Sequence, residues 1–198
     1  MNIFLIRHGE TQWSLTGRHT GRTDLPLTNN GERRAIALRA PLGRVRFSLV
    51  LTSPLQRARR TCELAGLGAD ARVEPDLQEW NYGDYEGRTT GDICAQRPGW
   101  DVFRDGCPHG ESVEQIIQRA ERVLDALRPV EGTVAVFSHG QFLRALAMLW
   151  VGLPIPAGAH FSLDTASVSI LGYERRTGEI PAICLWNTVS DGVPGKPD

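Results

Sequence analysis

The chain has 198 residues, and its 22 basic and 23 acidic side chains leave a formal net charge of −1. That length predicts one domain, 1–198, burying about 70% of its unfolded surface, and the near-cancelled charge excludes a global field for nucleic acid or a membrane surface. No apolar run reaches membrane-spanning length, and a strand-like start at Asn2-Ile3 without a basic leader predicts no signal peptide and a cytoplasmic protein.

Ile3 to Ile6 is a short apolar run that reads as a buried strand, and it leads directly into Arg7-His8-Gly9-Glu10-Thr11. The end of a buried strand is where an α/β sheet places its chemistry. Arginine offers a planar fork for phosphate, glycine lets backbone approach a ligand, and histidine can attack phosphorus. A helix-start turn with incidental polar residues has the same pattern. Thr28 to Leu42 reads as a helix with Thr28 as its N-cap. Leu49 to Leu51 forms a second strand ending in Thr52-Ser53-Pro54, and the helix after it carries Arg57, Arg59 and Arg60. Neighbouring helical positions point different ways, so only one or two of these arginines reach the strand-end edge. Arg57, in the first turn, is nearest to that edge and to the positive end of the helix dipole; Arg59 and Arg60 read as a solvated face.

Between Trp80 and Gly110, Pro98 and Gly99 interrupt regular structure, and Trp100, Phe103, Arg104, Asp105, Cys107 and His109 follow. This segment reads as a lid-like excursion at about 80–110 over the pocket, the alternative being an excursion whose aromatics pack on the core. Glu111 to Leu127 is a longer helix. Val134 to Phe137 is a further strand, ending in Ser138-His139-Gly140 before a helix from Gln141 to Val151. Two strands thus end in a His-Gly pair, and parallel pairing would bring His8 and His139 to one edge. Val168 to Tyr173 and Ile180 to Trp186 are strands joined by Glu174 to Glu179, whose Thr177-Gly178 suits a hairpin. The residues from Ser190 are rich in glycine, proline and charge and read as a frayed tail.

Cys62, Cys94, Cys107 and Cys184 form no Cys-x-x-Cys pair, which favours free thiols, with Cys107 expected to be the exposed one near the site. The five histidines are scattered without an accompanying carboxylate cluster, so no metal is expected.

These motifs, with Thr20-Gly21, Ser53 to Ala58, Leu77-Gln78-Glu79 before Tyr82-Gly83, and Gly110-Glu111-Ser112, resemble in order those of the histidine phosphatase superfamily, the branch that includes cofactor-dependent phosphoglycerate mutases. The resemblance covers nearly the whole chain. It implies an α/β fold: a three-layer α/β/α sandwich, phosphoglycerate mutase-like, with a mostly parallel central sheet and a C-terminal antiparallel hairpin. It also implies that His8 becomes the phosphohistidine, that Arg7, Arg57 and His139 hold the phosphoryl oxygens, and that Glu79 donates a proton. Ser14, Thr20, Gly21, Tyr82 and Gln141 are then expected around the substrate. Trp13 is followed by Ser14 where the mutases usually have asparagine, a hydroxyl with shorter reach.

The chemistry supports these roles. Phosphate monoester hydrolysis is among the slowest reactions that enzymes accelerate, by up to about 10²¹-fold, so charge neutralisation by Arg7, Arg57 and a protonated His139 comes first. His8 must be neutral to attack, which cationic neighbours favour. Glu79 must hold a proton for the leaving alcohol, which burial beside Trp80 or bound phosphate would favour. The segment Glu79 to Gly87 with Arg104 to Cys107 looks like sedoheptulose-bisphosphatase-like and bacterial acid-phosphatase-like members. The expectation is a cofactor-free phosphatase acting on a small phosphorylated sugar or sugar acid, with homodimerisation left open. The alternatives are a phosphoglycerate mutase and a non-catalytic phospholigand-binding module. The mutases' longer insertion and closing C-terminal tail are largely missing here, which favours hydrolysis.

Overall fold

A computed structural model describes residues 1–174 and 179–189. Its strands are β1 (Asn2–Arg7), β2 (Leu49–Thr52), β3 (Ala71–Val73), β4 (Thr133–Ser138), β5 (Val168–Tyr173) and β6 (Pro181–Thr188). The helices are α1 (Gln12–Leu15), α2 (Asn29–Ala37), α3 (Arg39–Leu42), α4 (Gln56–Leu64), α5 (Thr90–Cys94), α6 (Val102–Asp105), α7 (Val113–Leu127) and α8 (Gly140–Trp150). The strands form one sheet in the order β3-β2-β4-β1-β5-β6. The pairs β3-β2, β2-β4 and β4-β1 are parallel, and β1-β5 and β5-β6 are antiparallel, as expected. Thr177-Gly178 of the expected hairpin and the tail from Ser190 lie outside the described residues.

Strand alternation divides the core into two layers. Ile3, Leu5, Val134 and Val136 face one side, where Ile116, Ala120, Val123 and Leu127 of α7 and Phe142, Leu143, Leu146 and Ala147 of α8 cover them. Phe4, Ile6, Ala135 and Phe137 face the other, under Leu38, Leu42 and Cys62. The layers α7/α8, sheet and α2 to α4 make the three-layer sandwich.

The expected helix from Thr28 is present but divided. Thr28 caps α2 through its hydroxyl, which accepts the Gly31 N–H. The chain then breaks at Leu38, because Pro41 cannot donate to the carbonyl four residues back and its ring crowds that turn. The expected helix from Glu111 begins at Val113, where Ser112 and Gln115 form a capping box.

The excursion at 80–110 packs its aromatics on the core, as one of its two readings from the sequence has it. Trp80, Tyr82, Ile93, Trp100 and Phe103 are buried in the α7/α8 core layer, with Phe103 edge-on to Trp80 at a centroid separation of 5.7 Å. Fully burying such a side chain stabilises by about 1.5–3 kcal/mol, so these aromatics fasten the segment. The cysteines are all free, but Cys184 is the exposed one. Burial pushes the half-buried Cys107 thiol up to about 12.

Candidate active site

Arg7 pairs with Ser138 in the last rung between β1 and β4, so His8 and His139 leave adjacent strand ends together. Their rings lie 5.1 Å apart, centre to centre. The His8 backbone is held on both sides: its N–H donates to Ser138 O and its carbonyl accepts from Ala166. The side-chain Nδ1 lies 2.7 Å from the Gly9 carbonyl. A carbonyl can only accept, so Nδ1 carries the hydrogen and Nε2 keeps a lone pair. Burial, then Arg57 and Arg7, hold His8 well below the ordinary histidine range; the expected cationic effect is present, with desolvation the larger cause.

Gly9 serves a different approach from the one expected. A Cβ there would stand 2.6 Å from the Gly31 carbonyl oxygen, so it admits the backbone at the start of α2, and its N–H donates to Thr61 Oγ1. The glycine that opens space in the site is Gly140, where a Cβ would meet the Arg7 guanidinium at 3.2 Å.

His139 corrects an expectation. Arg57 Nε donates to its Nδ1 at 3.1 Å, so Nδ1 is the acceptor and Nε2–H faces Ser53 Oγ at 2.8 Å. Burial and the Arg57 charge keep the ring well below the ordinary histidine range. It is neutral, not the expected extra cation, and both nitrogens are engaged. Arg57 is equally occupied: its remaining nitrogens donate to the carbonyls of Thr20, Gly21 and Thr23. It stands behind His8 rather than on the pocket wall.

Glu79 is buried against the first turn of α8. Its Oε1 accepts from the N–H groups of Trp80 and Phe142, both at 2.9 Å, and Oε2 accepts from Gln141 at 3.0 Å. The carboxylate thus caps α8 in place of His139, whose ring is turned away. Both oxygens therefore act as acceptors towards the backbone. Oε2, with one partner, is the oxygen with room for a proton. The segment carrying Glu79 is clamped by Arg119, which donates to the carbonyls of Asp76, Gln78 and Glu79 and pairs with Glu111 at 2.8 Å. Glu111 in turn accepts from Asn81 N.

These elements frame a pocket of about 170 Å³ lined by Arg7, His8, Ser14, Thr20, Glu79, Tyr82, Gln141 and, beyond the expected set, Arg18, His19, Gly140, Arg144 and Leu163. Arg7 gives Nη1 to the Leu163 carbonyl, and its buried Nε has no partner among the described residues. The Ser14 hydroxyl is not free for phosphate: it closes the capping box of α1, donating to Thr11 O and accepting from Thr11 N. Gly21 is off the wall, its N–H donating to Glu86 at 2.9 Å. Tyr82 stacks on His19 with centroids 4.5 Å apart, and its hydroxyl meets Gln141. Arg144 was legible only as the one charged residue in α8, one turn beyond Gly140 on the same face. No group of metal-holding side chains occurs among the described residues, and no described helix is long and apolar enough to cross a membrane.

Residues 3–185 match the family described as the histidine phosphatase superfamily (branch 1). An acid phosphatase of Mycobacterium tuberculosis is 41% identical over 187 residues, covering 92% of each chain. A sedoheptulose 1,7-bisphosphatase of Saccharomyces cerevisiae is 36% identical over 183 residues, covering 76% of this chain and 68% of its own. The solved structure of a Mycobacterium tuberculosis open reading frame superposes with a TM-score of 0.90 at 38% identity, covering 96% of this chain and 98% of its own.

Proposed function

The chain belongs to the histidine phosphatase superfamily (branch 1) and is a phosphoric monoester hydrolase, and from that premise we propose that it cleaves small phosphomonoesters through a phosphohistidine at His8. The observation that carries this reading is the His8 tautomer: Nδ1 is committed to the Gly9 carbonyl, and a neutral Nε2 is left as nucleophile beside Arg7 in the pocket.

In the first step Nε2 attacks phosphorus, an N–P bond forms and the P–O bond to the alcohol breaks. Arg7 meets the phosphoryl oxygens, while Arg57, filled by carbonyls and His139, supplies positive potential from behind that keeps His8 unprotonated. Glu79 Oε2 relays the proton to the departing alcohol. A phosphomonoester near neutral pH is partly monoanionic, its second ionisation lying at about 6, so the substrate itself can deliver that proton to a carboxylate built as an acceptor. Water then attacks the phosphohistidine, giving up a proton to Glu79 as the N–P bond breaks and His8 is restored; Glu79 passes that proton to the departing inorganic phosphate and returns to the carboxylate.

Rapid acid-free quench of the enzyme during turnover of a labelled phosphomonoester should trap one acid-labile phosphoryl group on wild type and none on His8→Ala, whose turnover should fall to background. Substantial residual turnover in His8→Ala, with the fold intact by circular dichroism, rules the mechanism out.

A further inference from the structure

A bare Nε2 on His8 requires Nδ1 to keep the hydrogen, and therefore requires the Gly9 carbonyl to stay 2.7 Å from Nδ1. That carbonyl belongs to a glycine, which has no side chain to restrict its backbone. What fixes Gly9 must come from elsewhere in the fold. Its N–H donates to the Thr61 hydroxyl at 2.9 Å.

Thr61 is fully buried in α4, four residues beyond Arg57 and on the same helical face. Its Oγ1 lies 2.7 Å from the Arg57 carbonyl. A carbonyl only accepts and a backbone N–H only donates, so the single hydroxyl hydrogen goes to Arg57 and a lone pair faces Gly9. The hydroxyl cannot rotate without breaking a bond. A helical threonine often bonds back to the carbonyl four residues earlier, and that bond alone would be ordinary. The bond to Gly9 is different, since it ties α4 to the residue after the nucleophile, 52 positions away.

The peptide unit joining His8 to Gly9 is thus gripped at both ends. Its carbonyl oxygen, on His8, accepts from Ala166 N at 3.0 Å, and its N–H, on Gly9, is held by Thr61. Gly9 is also pressed against the start of α2, where a Cβ on it would stand 2.6 Å from the Gly31 carbonyl oxygen. Packing limits where this backbone sits, and the two hydrogen bonds fix how the peptide is turned.

Resting on the phosphohistidine reading, we infer that Thr61 is a positioning residue for the nucleophile: by holding the peptide between His8 and Gly9 it keeps the Gly9 carbonyl on Nδ1 and leaves Nε2 its lone pair. Without the hydroxyl, the Gly9 N–H is buried with no partner, a cost the backbone relieves only by turning. The carbonyl then turns away from Nδ1. His8 shares its hydrogen between two nitrogens, and the fraction able to attack phosphorus falls.

The test compares wild type, Thr61→Val and Thr61→Ser. Long-range proton–nitrogen spectra of histidine-labelled protein, with the His8 signals identified by their loss in His8→Ala, should show Nδ1 protonated and Nε2 bare in wild type and in Thr61→Ser. In Thr61→Val both signals should move toward a mixture of the two tautomers. In parallel, kcat/KM for 4-nitrophenyl phosphate, whose leaving group needs no proton, should fall about 10- to 100-fold in Thr61→Val, the scale of a small misplacement of reacting groups. Thr61→Ser should recover most of that loss. Inhibition by inorganic phosphate should be unchanged, because Thr61 does not line the pocket. A wild-type His8 protonated on Nε2 overturns the inference, as does an unchanged spectrum or unchanged turnover in Thr61→Val. Equal losses in Thr61→Val and Thr61→Ser overturn it too, since they assign the effect to packing of the methyl group. If Thr61→Val does not fold, Thr61→Cys, whose sulfur is a weaker acceptor, carries the comparison with the same outcomes. Spectra that respond as expected in an enzyme that forms no phosphohistidine overturn the phosphohistidine reading instead and leave Thr61 its hold on the tautomer.

Discussion

Glu79 presents one lightly engaged oxygen, held by Gln141 N–H alone, while two backbone N–H groups hold the other, so its substitution separates two functions. Glu79→Gln should slow alkyl phosphates by about 10²-fold or more, the usual contribution of a positioned acid or base. It should slow 4-nitrophenyl phosphate far less, because that leaving group departs as an anion; equal losses would leave Glu79 only its capping duty. Turnover of alkyl phosphates should rise from pH 8 to pH 5.5 as the substrate gains its proton, because His8, held well below the ordinary histidine range, stays neutral there. A flat profile would contradict delivery of the proton by the substrate. Ser14→Ala should cost about 1 kcal/mol in denaturant unfolding through the lost cap and leave KM within about twofold, since the hydroxyl is turned onto Thr11. His8 and Arg7 were legible because they end an apolar strand. The neutral state of His139 was not, since it depends on an Arg57 contact between residues remote in sequence.

The strand ends and α8 were readable from apolar periodicity, and their pairing from the rule that parallel strands share a carboxyl edge. What periodicity could not show is which neighbour fixes an irregular stretch. The segment from Asp76 to Asn81 has little regular structure, and its rigidity comes from the Arg119–Glu111 pair on α7 and the residue before its cap. Both partners are largely buried, so Arg119→Ala strands a carboxylate and should cost about 3–5 kcal/mol of stability, read as a shifted urea midpoint. An unfolding free energy within about 0.5 kcal/mol of wild type, at the same slope, would show the clamp to be dispensable. The sequence leaves a lid and a core-packed excursion both open at 80–110 for a related reason: aromatic residues among prolines and glycines carry no period that tells one from the other.

For the whole molecule, three histidines near the site titrate below their ordinary range: His8 and His139 well below it and His19 at about 4, all chiefly through burial. The unfolded chain takes up protons at these groups from about pH 6.5 downward while the folded chain does not, so their contribution is present above that pH and is lost as pH falls. Unfolding free energy should drop between pH 7 and pH 5 by about 2 kcal/mol per such histidine, and His19→Phe should flatten the slope. An increase in stability over that range would refute the burial argument. Hydrolysis over isomerisation also belongs to this scale: with a bisphosphoglycerate donor and a monophosphoglycerate acceptor, inorganic phosphate should accumulate faster than rearranged product. The reverse would install the mutase reading.

The rung that joins Arg7 to Ser138 ties the nucleophile to a late event in folding. Its two strands are far apart in sequence, Asn2–Arg7 and Thr133–Ser138, and the chain between them must close before either histidine has its partner. A register slip of a single residue would turn every side chain of β1 to the opposite face, taking His8 away from the edge. Activity regained after dilution from denaturant is therefore a clock for this long-range closure, and it should lag the recovery of helical signal, which needs only local contacts.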